Sequence, residues 1–461
     1  MTKKNCAQNK KPAGHATTVP HAAEAVNTIF ALASGSLRAG VAVIRVSGAG
    51  ARQSLDVLCG KKNPRPRHAY YVTIADPASG AQIDRALAIY FAAPASFTGE
   101  DIAEYHVHGG RSVIESLLAV LGRMDGFRMA EPGEFTRRAF ENGKLDLTEA
   151  EAIADLIDAE TEAQRLQALG QLGGALGALY QGWTDHLSGV LAHQEADIEF
   201  PEDDLPQGLS NAIAPKIEEL RAEISAHLDD NRRGERLRSG IMVAIIGAPN
   251  AGKSSLLNAL AARDAAIVSE EAGTTRDVIE VHLDLGGYPA ILADTAGLRE
   301  TDQTIEAEGI RRAQARARDA DLKIALFDAT QEKPDGATLA LVDEKTITVL
   351  SKTDLGARLP LQGYPLSVKT GAGMEEFLTA LTARLAALLG SSGGAPMLTR
   401  ERHRAALEEA REHLARAAAA TLPELAAEDL RMALRALGRI TGRVHVEELL
   451  DKIFRDFCIG K

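Results

Sequence analysis

The sequence predicts a multidomain chain: an α+β domain at the N-terminus, an all-α helical domain, and an α/β P-loop domain inserted into the helical one. Three observations predict it. Short apolar runs bounded by turn residues mix with one helical segment up to about Phe127. Long helical patterning follows Lys144 and returns beyond the Gly/Ser/Pro linker "LLGSSGGAPM". Between the two, from Ile241, strand-like runs alternate with helical ones, which is the pattern of βαβ units and a mostly parallel sheet.

Taken in order, residues 1–26 are polar and basic without an apolar h-region, so they read as a disordered extension and not as a secretory signal. In residues 27–143, "GVAVIRVSG" and "DRALAIYF" read as strands. "RSVIESLLAVLGRM" has helical spacing at Val113, Leu117, Leu118 and Leu121. Residues 144–238 form the first part of the helical domain. Its stretch "LDLTEAEAIADLIDAETEAQRLQALGQL" reads as one long helical run, opened by a capping box of Asp146 and Glu149. An acidic loop, "FPEDDLPQG", interrupts the pattern before it resumes. Residues 239–388 carry the strands "IMVAIIG", "PAILADTAG", "DLKIALFDA" and "KTITVLSKTD". In residues 389–461 helical spacing returns at Leu407, Leu414, Leu430, Leu434 and Leu437, and a last helix puts Leu450, Ile453, Phe454 and Phe457 on one face. One helical domain interrupted by an α/β insertion is the economical arrangement; two separate helical domains are the alternative.

The 461 residues are too many for one core. Composition is that of an ordinary soluble globular chain, 45% hydrophobic and 25% charged. No apolar run approaches the ~20 residues of a membrane span. Cys6, Cys59 and Cys458 are few and far apart, which fits a reducing cytosol and argues against a disulfide framework or a metal cluster. A net charge of −12 argues against a chain that grips nucleic acid alone; a local basic patch or a basic partner would have to compensate.

"GAPNAGKS" fits G-x-x-x-x-G-K-[ST] at Gly247, Gly252, Lys253 and Ser254, between a strand and a helix. Backbone N–H groups of such a loop surround phosphate oxygens, Lys253 supplies a point charge, and Ser254 can ligate Mg²⁺. The expected nucleotide contacts are Asn250, Ala251, Gly252, Lys253, Ser254 and Ser255. "DTAG", Asp294, Thr295, Ala296 and Gly297, ends a strand beside it. Thr275 in "GTTRD" is a second candidate metal ligand. In "SKTD", Ser351, Lys352 and Asp354 follow another strand. Asp354 can accept from both the ring N–H and the exocyclic amine of guanine, a pair adenine lacks. "SVKTGAG" can close over the base through Ser367, Val368 and Lys369. Order and spacing match the GTPase superfamily, with GTP as substrate. Two departures stand out. Ser351 replaces the usual Asn, and Leu298 follows "DTAG" where a water-orienting glutamine is common. Glu306 is a carboxylate within reach of that task, although its composition alone suits a solvated helix position.

"SFTGEDIAEYHVHGG", "EPGEFTRRAFENGKLDLTEAEAIADLIDA", "GAPNAGKSSLLNAL", "IVSEEAGTTRD", "DTAGLRE" and the terminal "FCIGK" together resemble the tRNA-modification GTPase family MnmE, also called TrmE, from about Thr28 to Lys461. The resemblance implies an N-terminal folate-binding, dimerising domain and an inserted G domain. It implies a homodimer that forms a heterotetramer with an FAD-dependent flavoprotein, MnmG (GidA), and acts on tRNA. The pair would install an aminomethyl or carboxymethylaminomethyl group at carbon 5 of the wobble uridine, using a one-carbon unit from a 5-formyl- or methylene-tetrahydrofolate derivative. The implied folate contacts are Arg45, Glu104, Lys144 and Lys461. K⁺ is implied where other GTPases use an arginine finger, held by the Asn250 side chain with Ser269, Glu271 and Thr274. Here Ser269 replaces a commoner Thr, and Glu271 a commoner apolar residue. Glu306 matches the family's water-orienting carboxylate.

Other features have plainer readings. His106 and His108 in "HVH", with no carboxylate or third ligand seen nearby, suit packing or pocket lining more than a metal. "KKNPRPRH" suits a solvated basic loop more than a tRNA contact, and Cys59 a small packed thiol. "CIGK" is no prenylation box, because Gly460 is not aliphatic and Lys461 is not a usual final residue. Cys458 is a candidate catalytic thiol toward the uridine or folate carbon, and Lys461 a part of the folate pocket. The alternatives are a ribosome-assembly or signalling GTPase whose flanking domains only bind RNA or protein, and a folate one-carbon transferase with a vestigial G domain.

Overall fold

A computed structural model of the chain describes residues 28–35, 38–199, 209–262, 266–267, 280–294, 318–390, 396–444, 447–455 and 457–460. They fall into two compact units: Met1–Lys144 with Phe454–Lys461, and Leu145–Ile453.

The first unit is built on a six-stranded sheet of β1 (Thr28–Leu32), β2 (Ala39–Ser47), β3 (Ala69–Ala75), β4 (Gln82–Phe91), β5 (Ile102–Gly109) and β6 (Phe127–Met129), in the order β3-β4-β5-β2-β1-β6. The β1–β6 pair is parallel and the other pairs are antiparallel. Alternation sends Ile44, Val46, Ala86, Ala88, Tyr105 and Val107 to one face. There they pack against Leu55 and Leu58 of α1 (Ala51–Cys59) and Leu117 and Leu121 of α2 (Arg111–Leu121). The buried Tyr105 phenol is satisfied by Ser54 Oγ at 2.7 Å. Burial pushes the Cys59 thiol up to about 12, which fits its reading as a packed, inert side chain. A smaller cluster of Ile29, Ala31, Ala130 and Phe135 lies beneath α3 (Glu134–Glu141).

The C-terminal tail completes this unit. Ile459 bridges to Pro132, and Gly133 N–H donates to the Cys458 carbonyl at 3.4 Å. Gly133 (φ 68°) must be glycine, because a Cβ there would come 2.6 Å from the Phe454 carbonyl oxygen. At Gly460 (φ 101°) a Cβ would meet the Leu32 carbonyl oxygen at 2.0 Å.

The second unit opens with α4 (Leu147–Ile157) and α5 (Glu162–Leu172). The single helical run read from sequence is thus two helices. Asp146 and Glu149 form the expected capping box, but Thr161 and Gln164 form a second one that starts α5 afresh. Next come α6 (Ala175–Glu199), α7 (Leu209–Leu228) and α8 (Arg233–Ser239). After the α/β segment follow α12 (Glu401–Ala419), α13 (Pro423–Thr441) and α14 (Glu447–Arg455). Tyr180, Leu187, Leu220 and Ile224 share one core with Leu407, Leu414, Leu430 and Leu437. Helices from before and after the α/β segment therefore form one bundle. Buried Glu151 of α4 ties in the start of α12, with Arg402 at 2.6 Å, His403 at 3.0 Å and Arg400 at 3.4 Å. Burial opposes the charge on Glu151, yet these neighbours, Arg402 foremost, hold its carboxyl well below the usual range.

The α/β segment carries β7 (Ile241–Gly247), β8 (Ala266–Ile267), β9 (Glu280–Leu285), β10 (Tyr288–Asp294), β11 (Leu322–Asp328), β12 (Thr346–Ser351) and β13 (Tyr364–Pro365), in the order β13-β12-β11-β7-β10-β9-β8. Its described helices are α9 (Lys253–Ala261), α10 (Gly336–Leu339) and α11 (Met374–Leu389). The five strands from β13 to β10 are parallel; β9 pairs antiparallel with both β10 and β8. Val243, Ile245, Ile324 and Val349 pack toward Leu256, Leu260, Phe377 and Leu381, while Ile246, Ala325 and Phe327 form a second cluster with Leu359. Burial on both faces is why these strands read as continuous apolar runs. Among the described residues, no helix is long and apolar enough to cross a membrane.

Candidate functional site

Parallel register brings the C-terminal ends of β7, β10, β11, β12 and β13 to one sheet edge, the place where open α/β sheets bind ligands. β7 ends at Gly247, where a Cβ would lie 2.6 Å from the Leu326 carbonyl oxygen. The loop then turns through Asn250 (φ 62°) and Gly252 (φ 100°), and α9 begins at Lys253. Its first N–H groups thus sit at the end of that loop, the arrangement that favours an anion. Lys253 Nζ donates to the carbonyls of Gly247 at 2.8 Å and Ala248 at 2.9 Å, so its charge stays within the loop. Asn250, Ser254 and Ser255 are exposed, and Ala251 is buried. Asp294 ends β10 opposite Ile245 of β7, which puts its backbone on the same edge.

β12 delivers the second half of the site. Ser351 is buried, and its hydroxyl donates to the Ala251 carbonyl at 2.7 Å, with the Phe327 carbonyl 3.2 Å away. Lys352 takes a left-handed conformation (φ 60°) and pairs through Nζ with Asp328 at 2.7 Å. Burial opposes the Asp328 charge, but this ammonium and the Thr330 donors hold its carboxyl below the usual range. Asp354 is exposed and accepts from Ser367 Oγ at 2.7 Å, so the "SKTD" and "SVKTG" loops are joined. Val368 is half-buried and Lys369 is exposed. Gly373 (φ 78°) lets the second loop close, since a Cβ there would sit 1.9 Å from the Pro365 carbonyl oxygen.

In the first unit, Arg45 of β2 and Glu104 of β5 are register partners joined at 2.9 Å. The Arg45 guanidinium lies over the rings of Phe97 at 5.4 Å and Phe135 at 5.7 Å. Lys144 is exposed and donates to the Pro94 carbonyl at 3.1 Å, on the loop that leads to Phe97. Next to this group, Glu100 pairs with Arg138 at 3.1 Å and accepts from Ser47 Oγ at 2.7 Å. Cys458 is exposed, beside the turn that precedes α3 and Phe135. Sequence reading missed Phe97, Phe135, Glu100 and Arg138. Their only signal was membership in the segments "SFTGED" and "GEFTRR".

The reading of His106 and His108 as lacking a carboxylate is corrected. His106 Nε2 is 3.5 Å from Glu104, two residues earlier on β5, and His108 Nδ1 is 2.8 Å from Asp84, which the neighbouring β4 brings alongside. Each histidine has its own partner, and among the described residues there is no cluster of three or more His, Cys, Asp or Glu that could hold a metal. Ser269, Glu271, Thr274, Thr275, Thr295, Ala296, Gly297, Glu306 and Lys461 lie outside the described residues.

The family described as MnmE helical domain matches residues 147–458, and GTP-binding protein TrmE N-terminus matches residues 28–144. A tRNA modification GTPase MnmE of Parvibaculum lavamentivorans is 57% identical over 443 residues, covering 95% of this chain and 100% of its own length. The chain belongs to the tRNA modification GTPase MnmE family. A second MnmE relative, of Paramagnetospirillum magneticum, is 55% identical over 94% of this chain and 99% of its own length. The 5-taurinomethyluridine-[tRNA] synthase subunit GTPB3, mitochondrial, of Danio rerio is 48% identical over 94% of this chain and 93% of its own. The MnmE helical match runs through the P-loop segment, as an insertion within one bundle requires.

Proposed function

We propose that this chain is a K⁺-stimulated GTP hydrolase of tRNA maturation. With an FAD-dependent MnmG (GidA)-like partner it installs an aminomethyl or carboxymethylaminomethyl group at carbon 5 of the wobble uridine, position 34, of certain tRNAs. The observation that carries this reading is the sheet edge where the Lys253 loop meets the Ser351–Asp354–Ser367 assembly, in a chain of the MnmE family.

In this reading Asp354, held by Ser367, accepts the guanine N–H pair, and Val368 and Lys369 close over the base. Lys253 and the loop N–H groups take the phosphates. Ser254 and Thr275 would hold Mg²⁺ and Asp294 its water shell; the ion, when bound, neutralises phosphate charge. Asn250, exposed at the loop apex, offers its side-chain oxygen to K⁺ together with Ser269, Glu271 and Thr274. Glu306 orients the attacking water. In the first unit, Arg45, Glu104, Lys144 and Lys461 hold the tetrahydrofolate derivative. A carboxylate, a guanidinium and two aromatic rings suit a flat pterin edge and an anionic tail. Cys458 is the candidate thiol for the transferred carbon. The assembly is a homodimer, extended to a heterotetramer by the flavoprotein.

Two measurements test this. GTP hydrolysis should rise when K⁺ replaces Na⁺ at equal ionic strength; equal rates would remove the potassium site. Nucleoside mass spectrometry of tRNA from cells lacking this gene should show wobble uridines without the carbon-5 group. Retention of that group would overturn the assignment.

A further inference from the structure

Guanine presents two kinds of edge. N1–H and the exocyclic amine are donors, while O6 and N7 are acceptors. Asp354 can take only the donors. Position 351 is where an amide is usual, and an amide has two hydrogens to give, enough for a loop carbonyl and a base acceptor together. Ser351 has one hydrogen. Its oxygen lies 2.7 Å from the Ala251 carbonyl oxygen and 3.2 Å from that of Phe327. Both partners are acceptors only, so the single proton is directed into the protein. The residue is only 3% exposed.

We propose that Ser351 is a positioning residue that ties the phosphate loop to the end of β12, and that this position leaves the guanine N7 unread. Base selection then rests on Asp354. This inference deepens the guanine-nucleotide reading of the site and rests on it. The tie acts on the loop one residue before Gly252, whose φ of 100° turns the chain into α9. Ala251 is 2% exposed, so without the hydroxyl its carbonyl is a buried acceptor deprived of this donor.

The test is displacement of a fluorescent guanine nucleotide from the full chain by GDP and by 7-deaza-GDP. The analogue replaces N7 with C–H and keeps N1–H, the amine and O6. The native chain should bind the two within about twofold. Ser351→Asn should create a preference for GDP of roughly fivefold, the net worth of one hydrogen bond. Ser351→Ala should weaken both nucleotides by the same factor. A native chain that already prefers GDP by about fivefold or more would overturn the proposal, and that comparison decides even where a variant fails to fold. A folded Ser351→Ala chain that binds both as well as the native one would overturn the tie. Loss of all guanine-nucleotide binding by the native chain is a different result, and would remove the guanine reading itself.

Discussion

Glu151 keeps its charge inside the bundle because Arg402, His403 and Arg400 close around it. Removing one member of such a group leaves the rest buried and uncompensated, which costs about 3–5 kcal/mol. Glu151→Ala should therefore lower stability by that order, and Glu151→Gln by less, read from urea unfolding midpoints. A drop no larger than that of a surface Glu→Ala control would show that the cluster contributes nothing net. None of this was legible in the sequence. Glu151 lies with Glu149 and Asp155 on a helix with several acidic residues, and its partners are some 250 residues away. The loop glycines were different. Gly247 and Gly252 could be read as phosphate-loop residues because motif spacing carries its own geometry. Ser351 was visible as a departure, but not its bond to Ala251, which only the parallel pairing of β12 with β11 and of β11 with β7 makes possible.

At the scale of elements, α6 and α7 meet through Trp183, the chain's single tryptophan. Its indole N–H donates to Glu223 at 2.8 Å, and its ring stands edge-on to His227 at 5.4 Å. Burial pushes His227 down to about 4 from the ordinary 6.5. Between those values the unfolded chain binds a proton that the folded one refuses, so stability falls as pH drops from 6.5 toward 4. Thermal unfolding followed by Trp183 fluorescence should show this fall, and His227→Gln should flatten it within that window. Identical pH slopes for the two proteins would sink the assignment. Helix existence was legible here from periodicity, whereas the break between α4 and α5 was not. The capping box at Asp146 lies after a clear change of pattern, but the one at Thr161 is hidden inside an uninterrupted helical composition.

At the scale of the whole molecule, the α/β block announced itself through alternating strands and helices, and its insertion through helical patterning on both sides. The parallel pairing of β1 with β6 was invisible, since β6 is three residues long and lies far from β1 in sequence. The tail was legible as an amphipathic end, and the structure gives it an address: Ile459 on Pro132 and Gly460 against Leu32, within the first unit. A chain ending at Phe457 should hydrolyse GTP at the native rate yet lose tRNA modification; unaltered modification would make the tail a mere terminus. The same placement has a consequence for synthesis. Residues Met1–Lys144 leave the ribosome early, but the segment that finishes their fold, from Phe454 onward, is made about 310 residues later. At ~5–20 residues per second that is a wait of roughly 15–60 s. Every product that stops short of Phe454 therefore lacks a finished first unit, whatever the state of its phosphate-binding loop.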